Sequence, residues 1–216
     1  MRVLLALLCF ALAACVPLAD HPAGDEQHAQ FDARLQGVWR AAHDDGPMLL
    51  FAGPGDDTGH GVHLVTVEET GGNHRWKTEE YDGIATRRGQ HGFLSIRYET
   101  TDGERRGWAI ARYTFVGRDR LQLSTLDETR LAAVVRAEKI PGRVSGDGPY
   151  ADVDLTMSSV DLLAFLESKA GQALFDPPHG LVRVAALDAR APRAKSPRPR
   201  ARHQSTGTGV APTSSR

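Results

Sequence analysis

The sequence predicts a mainly β fold of β-rich α+β type: an antiparallel meander forming a barrel or sandwich, with one or two C-terminal helices. Three observations carry this reading. Between Val38 and Leu126, short apolar runs follow one another at close, regular spacing, divided by turns rich in Gly and Asp. No strand–long helix–strand alternation occurs in that stretch, which argues against a parallel doubly wound sheet. After Asp127 the apolar period lengthens to a helical one. The chain has 216 residues, 41% apolar and 25% charged, enough for one packed domain with tails.

The elements follow in order. Phe31 and Leu35, four apart, suit a short helical turn. Val38-Trp39 opens the first strand, and Met48–Phe51 forms a second between Gly46-Pro47 and Gly53-Pro54. His63–Val67 is a third, ended by Gly71-Gly72-Asn73. His74–Tyr81 is a fourth, with Ile84–Thr86 either continuing it or pairing back across Asp82-Gly83. Phe93–Glu99 alternates, with Leu94, Ile96 and Tyr98 on one face, and Thr101-Asp102-Gly103 is a hairpin signal. Trp108–Val116 and Leu121–Leu126 complete the meander. Asp127 can then cap a helix to about Lys139, ended by Pro141-Gly142. Ala151–Met157 alternates as a strand. Ser158-Ser159-Val160-Asp161 forms a capping box before Leu162, Leu163, Leu166 and Ala170, and Gly180–Leu187 is a last strand.

The N-terminus carries the most specific signal. Arg2 is the only charge before Asp20, and Val3–Ala14 is apolar or small, too short to span a hydrocarbon core of about 30 Å. This is the pattern of a secretory signal peptide. It ends Leu12-Ala13-Ala14-Cys15, which resembles the lipobox of bacterial lipoproteins. The resemblance implies cleavage before Cys15, a diglyceride attached to its thiol as a thioether, acylation of the new amino group, and membrane attachment through that lipid. Several acyl chains anchor stably where one does not. The residue after Cys15 is Val16 and not Asp, which by the same resemblance implies a periplasm-facing position on the outer membrane. With Cys9 in the signal and Cys15 lipidated, the mature chain holds no thiol for a disulfide, a nucleophile or a metal. The expected organisation is a signal peptide at 1–14, a lipidated Cys15 with a flexible tether to residue 30, one β-rich domain at 31–187, and a disordered tail at 188–216.

Net charge is −1 overall but is split along the chain. Residues 188–216 carry seven Lys/Arg and one acid, and residues 1–187 have a net charge of −7. The acidic body argues against a nucleic-acid partner. Outside the cytoplasm, the tail's Arg190, Arg193, Lys195, Arg198, Arg200 and Arg202 would meet anionic envelope components such as lipid phosphates.

Gly37-Val38-Trp39, preceded by a turn and followed by a meander, a late helix and a final strand, resembles the lipocalins, although the later Thr-Asp-Tyr of that family is missing. The resemblance implies an eight-stranded barrel with an interior able to hold a small ligand, and Trp39 as a residue at that interior. Ser145-Gly146-Asp147-Gly148-Pro149-Tyr150 resembles the Ser-Gly-x-x-Tyr loop of periplasmic lysozyme inhibitors, with Tyr150 one residue late. That implies an inhibitor or immunity protein acting on an envelope-directed enzyme. Asp56, Asp57, His60 and His63 have the ligand chemistry of a zinc site, and an open one would hydrolyse. Gly146–Gly148 with Asp152 and Asp154 departs from the calcium-loop spacing. Gly-x-Ser-x-Gly, Ser-x-x-Lys, the phosphate-binding loop and Gly-x-Gly-x-x-Gly are all absent. The expectation is therefore a non-catalytic binding or accessory module without a cofactor, whose partner is a protein or a small apolar ligand. A metal-dependent hydrolase is the enzymatic alternative.

Overall fold

The computed structural model describes residues 16–26, 29–42, 48–55, 61–70, 75–99, 103, 105–147 and 151–186. Eight strands close into an antiparallel barrel. In chain order they are β2 (Gly37–Ala41), β3 (Met48–Pro54), β4 (Val62–Thr70), β5 (Arg75–Arg88), β6 (His91–Glu99), β7 (Arg106–Phe115), β8 (Arg120–Thr125) and β11 (His179–Ala185). Each of the first seven pairs with the next. β11 enters between β8 and β2, joining Leu181 to Leu121 on one side and to Ala41 on the other. Closure removes the open sheet edges that a sandwich would leave.

Strand alternation supplies the two faces. Trp39, Val62, Leu64, Leu94, Tyr113, Leu121 and Leu181 point inward and form one core cluster. Gly92 sits under the Tyr113 ring, where a Cβ would lie 2.3 Å from the ring carbon bearing the hydroxyl.

Residues 126–178 leave the barrel and return. They form α1 (Glu128–Arg136), β9 (Gly142–Ser145), β10 (Asp152–Leu155), α2 (Ser159–Glu167) and α3 (Lys169–Gln172). Asp127 caps α1 by accepting from the Arg130 amide, and Ser158 caps α2 by accepting from that of Asp161. The apolar sides of α1 and α2 (Leu131, Val135, Leu162, Leu166) pack with Phe93, Trp108 and Ile110 in a second core cluster, over the outer faces of β6 and β7. Each such buried side chain contributes about 1.5–3 kcal/mol.

Within the stretch expected to be a flexible tether, the described residues 16–26 are instead part of the fold. β1 (Leu18–Ala19) pairs antiparallel with β7 at Ala109 and Trp108, and parallel with β10 at Asp154 and Leu155. Pro17, Leu18, Ala19 and Ala23 are buried, and the Ala23 amide donates to Ser95 Oγ at 2.9 Å. The physical reason is an open edge: β8 pairs with β7 only over Ala111–Phe115, so the edge at Trp108 and Ala109 needs a partner. A strand of two residues carries no readable period, and the prolines and charges around it read as spacer. β9, four residues with Val144 as its one aliphatic side chain, carries no readable run either. The long β5 resolves the ambiguity at Asp82-Gly83 in favour of one continuous strand.

Candidate functional site

One end of the barrel is plugged. The segment before β2 folds back beneath it, and the Trp39 indole nitrogen donates to the Leu35 carbonyl at 2.8 Å. The Arg183 guanidinium stacks over the indole at 4.3 Å, and its two terminal nitrogens donate to the Gln36 and Arg34 carbonyls. Beside it, the Asp32 carboxylate accepts from Arg34 at 2.6 Å and from the Tyr113 hydroxyl at 3.0 Å. Burial alone would raise the Asp32 pKa, but these hydrogen bonds outweigh it and hold the carboxyl below its usual value. The same burial and the Asp32 charge push the Tyr113 hydroxyl well up. This end is a floor, and Trp39 is its anchor, fully buried.

The other end differs. There the inward-facing Ala41, Tyr81, Ile96 and Ala111 are only partly buried, whereas Leu35, Trp39, Val62, Tyr113 and Leu121 at the floor are each at most 2% exposed. Among the described residues, two alanines and incomplete burial set this end apart from the filled floor. A polar trio marks that mouth. Lys77, Glu79 and Tyr81 alternate along one face of β5, and Glu79 accepts from the Tyr81 hydroxyl and from Lys77, each at 2.7 Å. Burial opposes the Glu79 charge, but the hydrogen bonds of Lys77 and Tyr81 lower its pKa on balance. Thr66, buried, is the backbone partner of Glu79 on β4.

The mouth is also slotted. β5 pairs with β4 from Arg75 to Gly83, but with β6 only from Gly83 onward. β6 continues to Glu99 on β7 alone. The two strands meet tightly at Gly83, where a Cβ would lie 2.2 Å from the Ser95 carbonyl oxygen, and diverge beyond it. The first half of β5, with Trp76 54% exposed, is held in the wall by its ladder to β4.

A charged shelf lies on β10, beside β1. Arg105 bridges Asp152 and Asp154. Glu128, at the start of α1, is pushed up to about 7 by burial first, then by the neighbouring Asp152 and Asp127 charges, with Arg105 opposing. On the outer wall, a groove of about 590 Å³ runs between Gly24–Glu26, Arg88 and α2, crossed by the Arg88–Glu167 ion pair at 2.9 Å.

The sequence-derived candidates fare unevenly. Cys15, Asp56, Asp57, His60 and Tyr150 lie outside the described residues. His63 is on the outer side of β4, with Nδ1 2.9 Å from Asp82 and Nε2 3.9 Å from Glu80. Among the described residues no three His, Cys, Asp or Glu side chains converge as a metal site. Asp152 and Asp154 are engaged by Arg105, and the Gly146 carbonyl accepts from Arg136 at 2.9 Å. Sequence reasoning missed Lys77, Glu79 and Tyr81; their period-two spacing was a usable signal, masked by charges on both faces of β5. Among the described residues no helix is long and apolar enough to cross a membrane. No protein-family model, curated protein or solved structure matches this chain.

Proposed function

We propose that this chain is a lipid-anchored protein of the bacterial envelope, held through Cys15 on the periplasmic side of the outer membrane, and that its barrel binds a small apolar ligand with a polar end. It acts as a binding or accessory module, not as a catalyst. The observation that carries the binding reading is the contrast between the two ends of one barrel. A floor closed by Trp39, Arg183, Asp32 and Tyr113 faces a mouth lined by Ala41, Ala111 and Ile96 and rimmed by Lys77, Glu79 and Tyr81. Apolar walls with a few convergent polar groups are the usual make-up of a small-molecule site. The anchor reading rests on Leu12-Ala13-Ala14-Cys15 after a basic start and a short apolar run.

Two measurements test the two parts. Cys15→Ser releases the protein from the membrane fraction; a variant that stays bound contradicts the anchor. For the ligand, the probe is N-phenyl-1-naphthylamine, whose fluorescence rises in apolar surroundings. Ala111→Trp fills the interior at mid-barrel and weakens probe binding at least tenfold. An Ala111→Trp protein that keeps its circular dichroism and binds the probe as tightly as the parent sinks the barrel reading.

A further inference from the structure

We propose that the floor end of the barrel is a docking surface for anionic lipid, where arginine-rich turns and two exposed valines seat the body on phosphate headgroups. The proposal deepens the envelope reading above and rests on it for the membrane that this surface meets.

Charge is divided between the ends of the barrel. The described turns at the floor end are residues 31–37, 86–91, 115–121 and 183–186. They hold six arginines (Arg34, Arg87, Arg88, Arg118, Arg120 and Arg183) and two carboxylates, Asp32 and Asp119. Asp56 and Asp57, in the connection from β3 to β4 at the same end, bring the carboxylates to four. The excess is positive on a chain whose residues 1–187 have a net charge of −7. Asp32 is spent on Arg34, Asp119 faces Arg183 at 3.5 Å, and Arg88 pairs with Glu167 of α2. Arg87, Arg118 and Arg120 are exposed. Each basic group held near an anionic lipid surface strengthens attachment about fivefold.

Apolar exposure falls at the same place. Among the described residues the exposed large apolar side chains are Trp76, Val116, Val160 and Val184, and two of these four are at the floor end. Val116 opens the turn from β7 to β8, its amide donating to the Arg120 carbonyl at 2.9 Å. The Arg183 amide donates to the Asp119 carbonyl at 3.0 Å, which brings Val184 beside that turn. A soluble polyanion would satisfy the arginines and leave both valines in water. A lipid surface takes both, with apolar groups entering the headgroup boundary and guanidinium groups meeting phosphate oxygens.

The N-terminal chain leads to this end. β1 is antiparallel to β7, with Ala19 opposite Trp108 and Leu18 opposite Ala109. Followed back from Ala19 to Val16, the chain therefore runs along β7 toward Phe115, at the floor. Pro17, Leu18 and Ala19 are buried, so the chain is fixed to the body within two residues of Cys15, about 7 Å of extended backbone. A lipid on Cys15 holds the body close, with the floor end toward the bilayer.

The test uses the full mature chain carrying Cys15→Ser. Vesicle binding is then read without the lipid, and a failed anchor is not mistaken for a failed surface. The probes are phosphatidylcholine vesicles with and without phosphatidylglycerol. Arg87→Gln/Arg118→Gln/Arg120→Gln is compared with Arg106→Gln/Arg136→Gln/Lys139→Gln, three exposed basic residues away from this end; the basic tail is common to all. The first set weakens binding to phosphatidylglycerol vesicles at least tenfold and the second less than twofold, both with the parent's circular dichroism. A second measurement removes no charge from the floor. The Cys15→Ser chain holds no other mature thiol, so Val116→Cys and Arg106→Cys, at opposite ends of β7, each carry a single nitrobenzoxadiazole label. The label at 116 brightens at least twofold on the vesicles and the label at 106 does not. A parent that fails to bind, a first set that binds like the parent, equal losses in both sets, or brightening at 106 alone overturns the proposal. So does equal binding to vesicles without phosphatidylglycerol, and so does equally tight binding to soluble polyglutamate, which assigns the surface to an acidic protein.

Discussion

Asp32 shows how one residue can hold a barrel floor. Its carboxylate, 2% exposed, accepts from Arg34 and Tyr113, so its loss strands a buried phenol and unbalances a guanidinium. Asp32→Asn is expected to cost about 2–4 kcal/mol in urea unfolding at pH 7, in the range for breaking a buried charged pair. Because the folded pKa lies below the unfolded value of about 3.9, the contribution is complete above that value. It is lost as pH falls through the folded pKa, and the parent and variant converge below that point. Glu128 has the opposite sign. Its folded pKa of about 7 lies above the unfolded value, so the native state holds a proton that the unfolded chain releases. Stability falls as pH rises from about 4.3 to 7 and stays lowered above that. Glu128→Gln is therefore expected to raise Tm by roughly 2–5 °C at pH 8 and to leave it nearly unchanged at pH 4. An equal shift at both pH values contradicts the assigned cause.

At the scale of elements, caps and strand positions were readable while strand lengths and pairing were not. The caps at Asp127 and Ser158 appear as expected, and the Ser158 hydroxyl also donates to the Asp161 carboxylate at 2.6 Å. Ser158→Ala is expected to cost about 1 kcal/mol, detectable as a lowered midpoint of chemical unfolding with an unchanged slope. The alternation of Phe93–Glu99 foretold β6 because a half-buried strand must alternate. β1 could not be foretold. Leu18 and Ala19 become a strand because β8 leaves β7 early and exposes an edge there. The slot beside β5 was equally invisible, since it arises where two ladders part at Gly83. Of the mouth, the alternation of Lys77, Glu79 and Tyr81 was present in the sequence, but which face turned inward depended on β4 and β6.

For the whole molecule, closure depends on a strand that arrives last. β11 joins β8 to β2 after the excursion of residues 126–178. A chain ending at Pro178 would leave two long unpaired edges, and is expected to elute from size exclusion as aggregate or oligomer where the full chain elutes as a smaller species. The sequence by itself determined the β-rich class, the order of the principal strands, the helices with their caps, and the division between an acidic body and a basic tail. These are properties of local period and composition, each written within a window of a few residues. The tertiary structure alone decided that the meander closes, that Trp39 and Arg183 seal one end, that residues 17–23 join the body, and that the mouth is split between β5 and β6. Each of those depends on which edges and faces meet between residues tens of positions apart, and a local pattern carries no record of that choice.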